Sequence, residues 1–111
     1  MNEDRQRLLD IVAYGEQAIS IIGDHSFEEA KARLETIYAV RYCLIVIGEA
    51  SNRLSRDVQD ALADVPWREI RATRNRLADA YDLVIDRVIY ETVKTHLPLV
   101  INRIRRHLSQ P

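Results

Sequence analysis

The sequence predicts an all-α fold: an antiparallel bundle of four or five helices in one domain spanning residues 1–111. Three observations carry this. Apolar residues recur at three- and four-residue spacing along most of the chain, the period of an amphipathic helix. Three glycines and three prolines in 111 residues are few. A composition of 47% apolar and 30% charged residues suits a helical bundle around a modest core. No internal repeat, linker or low-complexity segment divides the chain.

Taken in order, the first helix spans about Asn2 to Ile22, with Leu8, Ile11, Val12, Gly15, Ile19 and Ile22 along its apolar face. Gly23 stops it. Asp24 and His25 make a turn, and Ser26 with Glu29 gives the S-x-x-E pattern of a capping box. That box opens a long second helix, about Phe27 to Leu54, amphipathic at first through Ala30, Leu34 and Ile37. From Tyr38 to Gly48 only Arg41 is charged, so this stretch is apolar nearly all round and must be covered on every side. The short helices of one small domain do not easily supply that cover, which points to a second subunit. The polar stretch SRDVQDALAD after Leu54 reads as a short helical turn. Pro66 then suits the first turn of a helix carrying Trp67, Ile70 and a run of arginines. No glycine marks its end, and the boundary near Asp79 stays open. Asp82 or Asp86 is placed to cap the last helical region, whose stripe is Val84, Val88, Val93, Leu97, Val100, Ile101 and Ile104. Pro98 should kink or divide that region near Thr95–Leu97.

Composition narrows the function classes. A net charge of −1 gives no global attraction to nucleic acid, so any RNA contact needs a local patch. Cys43 is the sole cysteine, which rules out an internal disulfide and favours an intracellular setting; in its apolar run it reads as a small core residue. The charged amino end MNEDRQR shows no signal peptide. The longest apolar run, Tyr42 to Gly48, is far short of the ~20 residues that span a bilayer, so a cytoplasmic protein without membrane contact is expected. His25, His96 and His107 lack ligand spacing, and neither a metal site nor a cofactor is implied. There is no glycine-rich phosphate loop and no nucleophile elbow.

The stretch that invites chemistry is Trp67 to Tyr81, WREIRATRNRLADAY. Arg68, Arg71 and Arg74 recur every third residue and form one cationic stripe on a helix. On charge patterning alone these three and Arg76 are a solvated face; the functional alternative is a phosphate patch, since guanidinium forks match phosphate oxygens two at a time. Arg74 and Tyr81, seven apart, share a face if the helix runs on. Asp79, five after Arg74, lies about 140° round a regular helix and cannot meet it side by side. Either the helix ends between them, or another chain completes the site. Glu49, after Gly48 on the apolar helix, reads as a paired acid that at most shapes the site.

Arg74-Asn75-Arg76-Leu77-Ala78-Asp79-Ala80-Tyr81 resembles the Arg-x4-His-x-Tyr signature of HepT-type toxins in the HEPN ribonuclease superfamily. Ile47-Gly48-Glu49-Ala50, Val65-Pro66-Trp67 with Ile70, and Leu97-Pro98 are similar to that family's other landmarks, in order along most of the chain. The resemblance implies a HEPN-like homodimer that cuts RNA without a metal, as the toxin of a type VII (HepT/MNT) toxin–antitoxin system. It casts Arg74, Asn75 and the residue at 79 as catalytic, and bears less on Arg68, Arg71 and Arg76, for which the solvated face and the phosphate patch both stay open. It makes Tyr81 the acceptor of AMP from a partner nucleotidyltransferase of the minimal, MNT type, the antitoxin. One position departs: where the family has histidine, this chain has Asp79. A histidine exchanges protons near neutrality, whereas carboxylates ionise far below it and are weak bases with no proton to give at pH 7. The negative charge also repels phosphate and is placed to neutralise Arg74. The expectation is an impaired ribonuclease; the alternative is a non-catalytic HEPN module that binds an MNT-type nucleotidyltransferase or RNA without cutting it.

Overall fold

The computed structural model describes residues 2–79 and 87–110. Its order is α1 (Asn2–Ile22), α2 (Phe27–Lys31), α3 (Leu34–Asn52), α4 (Arg56–Ala61), α5 (Trp67–Asp79), α6 (Arg87–Glu91), a π-helical turn (Thr92–His96) and α7 (Leu97–Leu108). Among the described residues all regular structure is helical, and no helix is long and apolar enough to cross a membrane.

The periodicity of α1 becomes packing on two sides, with Leu8, Ile11, Ala18 and Ile22 buried. Gly23 ends the helix at φ +51°, a conformation that costs a glycine little and other residues more. Against α1 lies α3, antiparallel: Asp4, in the first turn of α1, accepts from the Ser55 backbone N–H at 2.9 Å and from Ser55 Oγ at 2.8 Å, just past the end of α3. The backbone bond, with the hydroxyl second, holds the Asp4 carboxyl below its ordinary pKa. Ser55 Oγ also accepts from Val58 N–H and so caps α4. On the other side α7 runs back along α1, tied by Arg105 to Glu16 and by Lys94, whose Nζ donates to the Gly23 carbonyl at 2.9 Å. Val40 and Ile47 of α3, Leu62, Val93 and Ile104 complete the core. Each fully buried aliphatic side chain contributes roughly 1.5–3 kcal/mol.

Two boundaries differ from expectation. The helix expected from Phe27 to Leu54 is divided, because Arg33 is extended (φ −110°, ψ 107°) between α2 and α3. Neither glycine nor proline marks the break; tertiary contacts override local propensity. The capping box on Ser26 and Glu29 forms as predicted. Phe27 stacks edge-on against Tyr90, and the Tyr90 hydroxyl donates to the His25 carbonyl, so α2 is held to α6 while α3 follows α1. The division near Pro98 takes the form of the π-helical turn at Thr92–His96, with Pro98 in the first turn of α7. The proposed caps Asp82 and Asp86, stripe residue Val84 and Tyr81 lie outside the described residues.

The apolar stretch on α3 is covered on one side only. Val40, Cys43, Leu44 and Ile47 are buried, and burial raises the Cys43 thiol pKa. Leu34, Tyr38 and Tyr42 are at least half exposed, at 52, 50 and 60%. Their spacing of four puts them on one stripe, and Tyr42 lies edge-on against Tyr14.

Candidate functional site

Pro66 and Trp67 set the start of α5. Trp67 is buried and its Nε1–H donates to the Leu62 carbonyl at 3.1 Å, anchoring the first turn. From there α5 runs without interruption through Asp79 and packs along α3. Of the two possibilities left open for Arg74 and Asp79, the helix ending between them is therefore excluded.

Arg74 sits half-buried where α5 crosses close to α3. The residue facing it on α3 is Gly48: a β-carbon added there would lie 2.5 Å from Arg74 Cγ and closer still to Cβ. Glycine is what lets the two backbones approach. That approach lays the guanidinium beside Glu49, the next residue on α3, and Arg74 Nη2 pairs with Glu49 Oε1. Nη1 donates to Asn75 Oδ1 at 3.2 Å. The buried Nε has no hydrogen-bond partner among the described residues. From two turns earlier on α3, Arg41 Nη2 donates to the Leu77 carbonyl at 2.7 Å. That bond ties α3 to the part of α5 just before Asp79.

The predicted residues are only partly gathered. Arg74 and Asn75 come together. Asp79, the last described residue of α5, is exposed with no partner among the described residues, and within one chain the group that neutralises Arg74 is Glu49 rather than Asp79. The geometric reason is the angle round α5, which turns Asp79 away while Gly48 brings α3 in. Arg68 is exposed and Arg71 half-buried, and neither has an ion pair among the described residues. Arg76 is exposed and engaged. Glu49 is paired as expected, but at 40% side-chain exposure it is open to solvent rather than buried. Arg41 was missed; as the one charge in the apolar stretch of α3 it stood out, but its partner is 36 residues away.

Chemically, the cluster is a guanidinium with two nitrogens engaged, one by a carboxylate that an incoming phosphate can replace. A half-exposed ion pair of this kind is worth about 0.2–1 kcal/mol, a modest barrier to exchange. A phosphate there gains a two-pronged partner in Arg74. The described residues bring no imidazole to it.

Comparison with known proteins gives a consistent result. The ribonuclease HepT-like family matches residues 11–107. The chain is 35% identical over 86 residues to a Thermococcus cleftensis protein named "Probable ribonuclease HepT", covering 74% of this chain and 78% of that one. It is 32% identical over 91 residues to "Putative RNase MJ0125" of Methanocaldococcus jannaschii, covering 82% and 78%. It is 31% identical over 91 residues to "Putative RNase MJ1216" of the same organism, covering 82% and 75%. No solved structure matches.

Proposed function

The chain belongs to the HepT-like ribonuclease family, with a function of the HEPN ribonuclease type, and from that premise we propose that it is the toxin half of a toxin–antitoxin pair. It acts as a two-fold dimer on RNA, with its proton-transfer position impaired by Asp79. The observation that carries this reading is the seating of Arg74 by Gly48 against Glu49, at the place where the family motif begins.

Each part has a physical support. Arg74 and Asp79 share one unbroken helix and face apart, so a site using both positions needs a second copy. The half-exposed stripe Leu34, Tyr38 and Tyr42 on α3 offers that copy an apolar surface. Arg74 clamps the phosphate and stabilises the charge that grows on it during 2′-hydroxyl attack. Asp79 replaces the histidine that would move the proton. Tyr81 accepts AMP from an MNT-type nucleotidyltransferase, and the added phosphate and bulk block RNA.

A second reading is favoured by one observation: Arg74 is already satisfied by Glu49, and the neighbouring motif position is a carboxylate. On that reading the same dimer binds RNA or the nucleotidyltransferase without cutting.

Both readings need Arg74 to hold phosphate. Arg74→Ala should weaken single-stranded RNA binding and lower the slope of log affinity against log salt by about one. Glu49→Gln should strengthen binding about 1.4- to 5-fold, the equivalent of losing a competing pair worth about 0.2–1 kcal/mol. Unchanged RNA affinity and salt slope in Arg74→Ala would remove the phosphate clamp from the account.

A further inference from the structure

Helix α5 is fixed to the rest of the chain at points spread along its length. Trp67 holds the first turn through its buried ring and its bond to the Leu62 carbonyl. Arg74 meets α3 further along, at Gly48. Beyond Arg74, Leu77 is the one buried residue among those described in α5, while Asn75, Arg76, Ala78 and Asp79 are exposed. Leu77 is also where Arg41 reaches across from α3, its Nη2 donating to the Leu77 carbonyl at 2.7 Å.

That bond differs from ordinary helix packing. Arg41 is the only charge between Tyr38 and Gly48, and a part-buried charge carries a desolvation cost that an aliphatic residue would not. What the guanidinium adds is direction: a charge-assisted hydrogen bond has a set length and angle and is roughly twice as strong as a neutral one. Its acceptor is two residues before the position that departs from the family motif. The Asp79 side chain points about 160° away from that of Leu77 round α5, so Arg41 acts on position 79 through the backbone.

The lever is short and its effect is large. From Arg74 to residue 79 is five residues, about 7.5 Å of helix, so a tilt of about 10° around the Gly48 contact moves residue 79 by about 1.3 Å. A misplacement of about 1 Å can cost about 10²-fold in rate. Arg41 also lies between Tyr38 and Tyr42, the half-exposed stripe of α3 offered to a second copy. One helix therefore carries both the surface for that copy and the side chain that holds α5 just before residue 79. We propose that Arg41 is a positioning residue for the proton-transfer position: its bond to the Leu77 carbonyl sets where residue 79 stands relative to α3, and so relative to the second copy's Arg74. The proposal rests on the ribonuclease reading above and adds a residue to it.

Two measurements on the intact protein test it. Arg41→Met keeps the apolar stem and removes every donor. In amide hydrogen exchange it should speed residues 76–79 about tenfold or more and leave Ile70, Arg71 and Ala72 within about twofold. Equal acceleration at both ends of α5, or none at residues 76–79, overturns the proposal. On the Asp79→His background, Arg41→Met should lower kcat for RNA cleavage about 10²-fold with KM changed less than about threefold, because Arg74 still holds the phosphate. Arg41→Lys, which keeps a charged donor for a single carbonyl, should recover kcat to within about fivefold. A raised KM with unchanged kcat would make Arg41 an RNA contact, and unchanged cleavage would leave it no part in the reaction. Either result overturns the positioning role while the ribonuclease reading stands. No cleavage by Asp79→His itself removes that reading and the positioning role with it. Should Arg41→Met fail to fold, Arg41→Gln, whose shorter side chain stops short of the carbonyl, carries both measurements.

Discussion

Gly48→Ala is the perturbation that most sharply probes how the site is built. The added β-carbon would stand 2.5 Å from Arg74 Cγ and nearer to Cβ, well inside contact distance, and Cβ is fixed to the backbone and cannot swing aside. α3 and α5 must separate at the point where Arg74 meets Glu49. Overpacking of this kind costs about 1–3 kcal/mol. Against it stands the helix-propensity gain of replacing a mid-helix glycine, about 0.5–1 kcal/mol. The terms combine to a loss of about 0–2.5 kcal/mol. Because the clash is with a backbone-fixed β-carbon, the upper part of that range, about 1–2.5 kcal/mol, is expected. For a domain of this size that lowers Tm by several degrees, at roughly 4–8 °C per kcal/mol. Thermal unfolding followed by circular dichroism reads it. Arg74→Gly removes the opposing β-carbon, so the Gly48→Ala substitution should cost much less on that background, a coupling a double-mutant cycle isolates. A Gly48→Ala protein as stable as wild type, or more stable by the propensity gain, would refute the close approach and the seating of Arg74 that depends on it.

Tyr42→Glu places a charge on the exposed stripe with Leu34 and Tyr38. Wild type should sediment as a dimer at micromolar concentration and the variant as a monomer; a monomeric wild type removes the composite site. Tyr81→Phe should abolish the added AMP mass seen when the protein is incubated with an MNT-type partner, ATP and magnesium. Equal modification of both proteins would assign the acceptor elsewhere.

The parts of the fold legible in the sequence are those governed by near neighbours. The end of α1 at Gly23, the capping box at Ser26 and Glu29, the opening of α5 at Pro66 and the disruption before Pro98 each follow from one to four adjacent residues. The break at Arg33 was not legible, because it depends on Phe27 meeting Tyr90, 63 residues further along by their numbers. The site divides the same way. Arg74, Asn75 and Glu49 stand out as a motif and its landmark, but that Glu49 rather than Asp79 pairs with Arg74 follows from which face of α3 crosses α5. Gly48 decides that crossing, and a glycine in a helix does not announce what approaches it. The tie from Arg41 to the Leu77 carbonyl joins two helices across 36 residues, and no local pattern encodes it.

The central claim is that an RNA-cutting scaffold is in place with only its proton carrier replaced. Asp79→His tests it, assayed on labelled single-stranded RNA with a chelator present. The account predicts metal-independent cleavage at least ~10²-fold above the Asp79 protein, within the ~10²–10⁴ range of general acid–base help. It also predicts that Arg74→Ala on the histidine background abolishes that gain. An Asp79→His protein that folds and dimerises yet cuts no RNA would contradict the ribonuclease account and leave the binding module in its place.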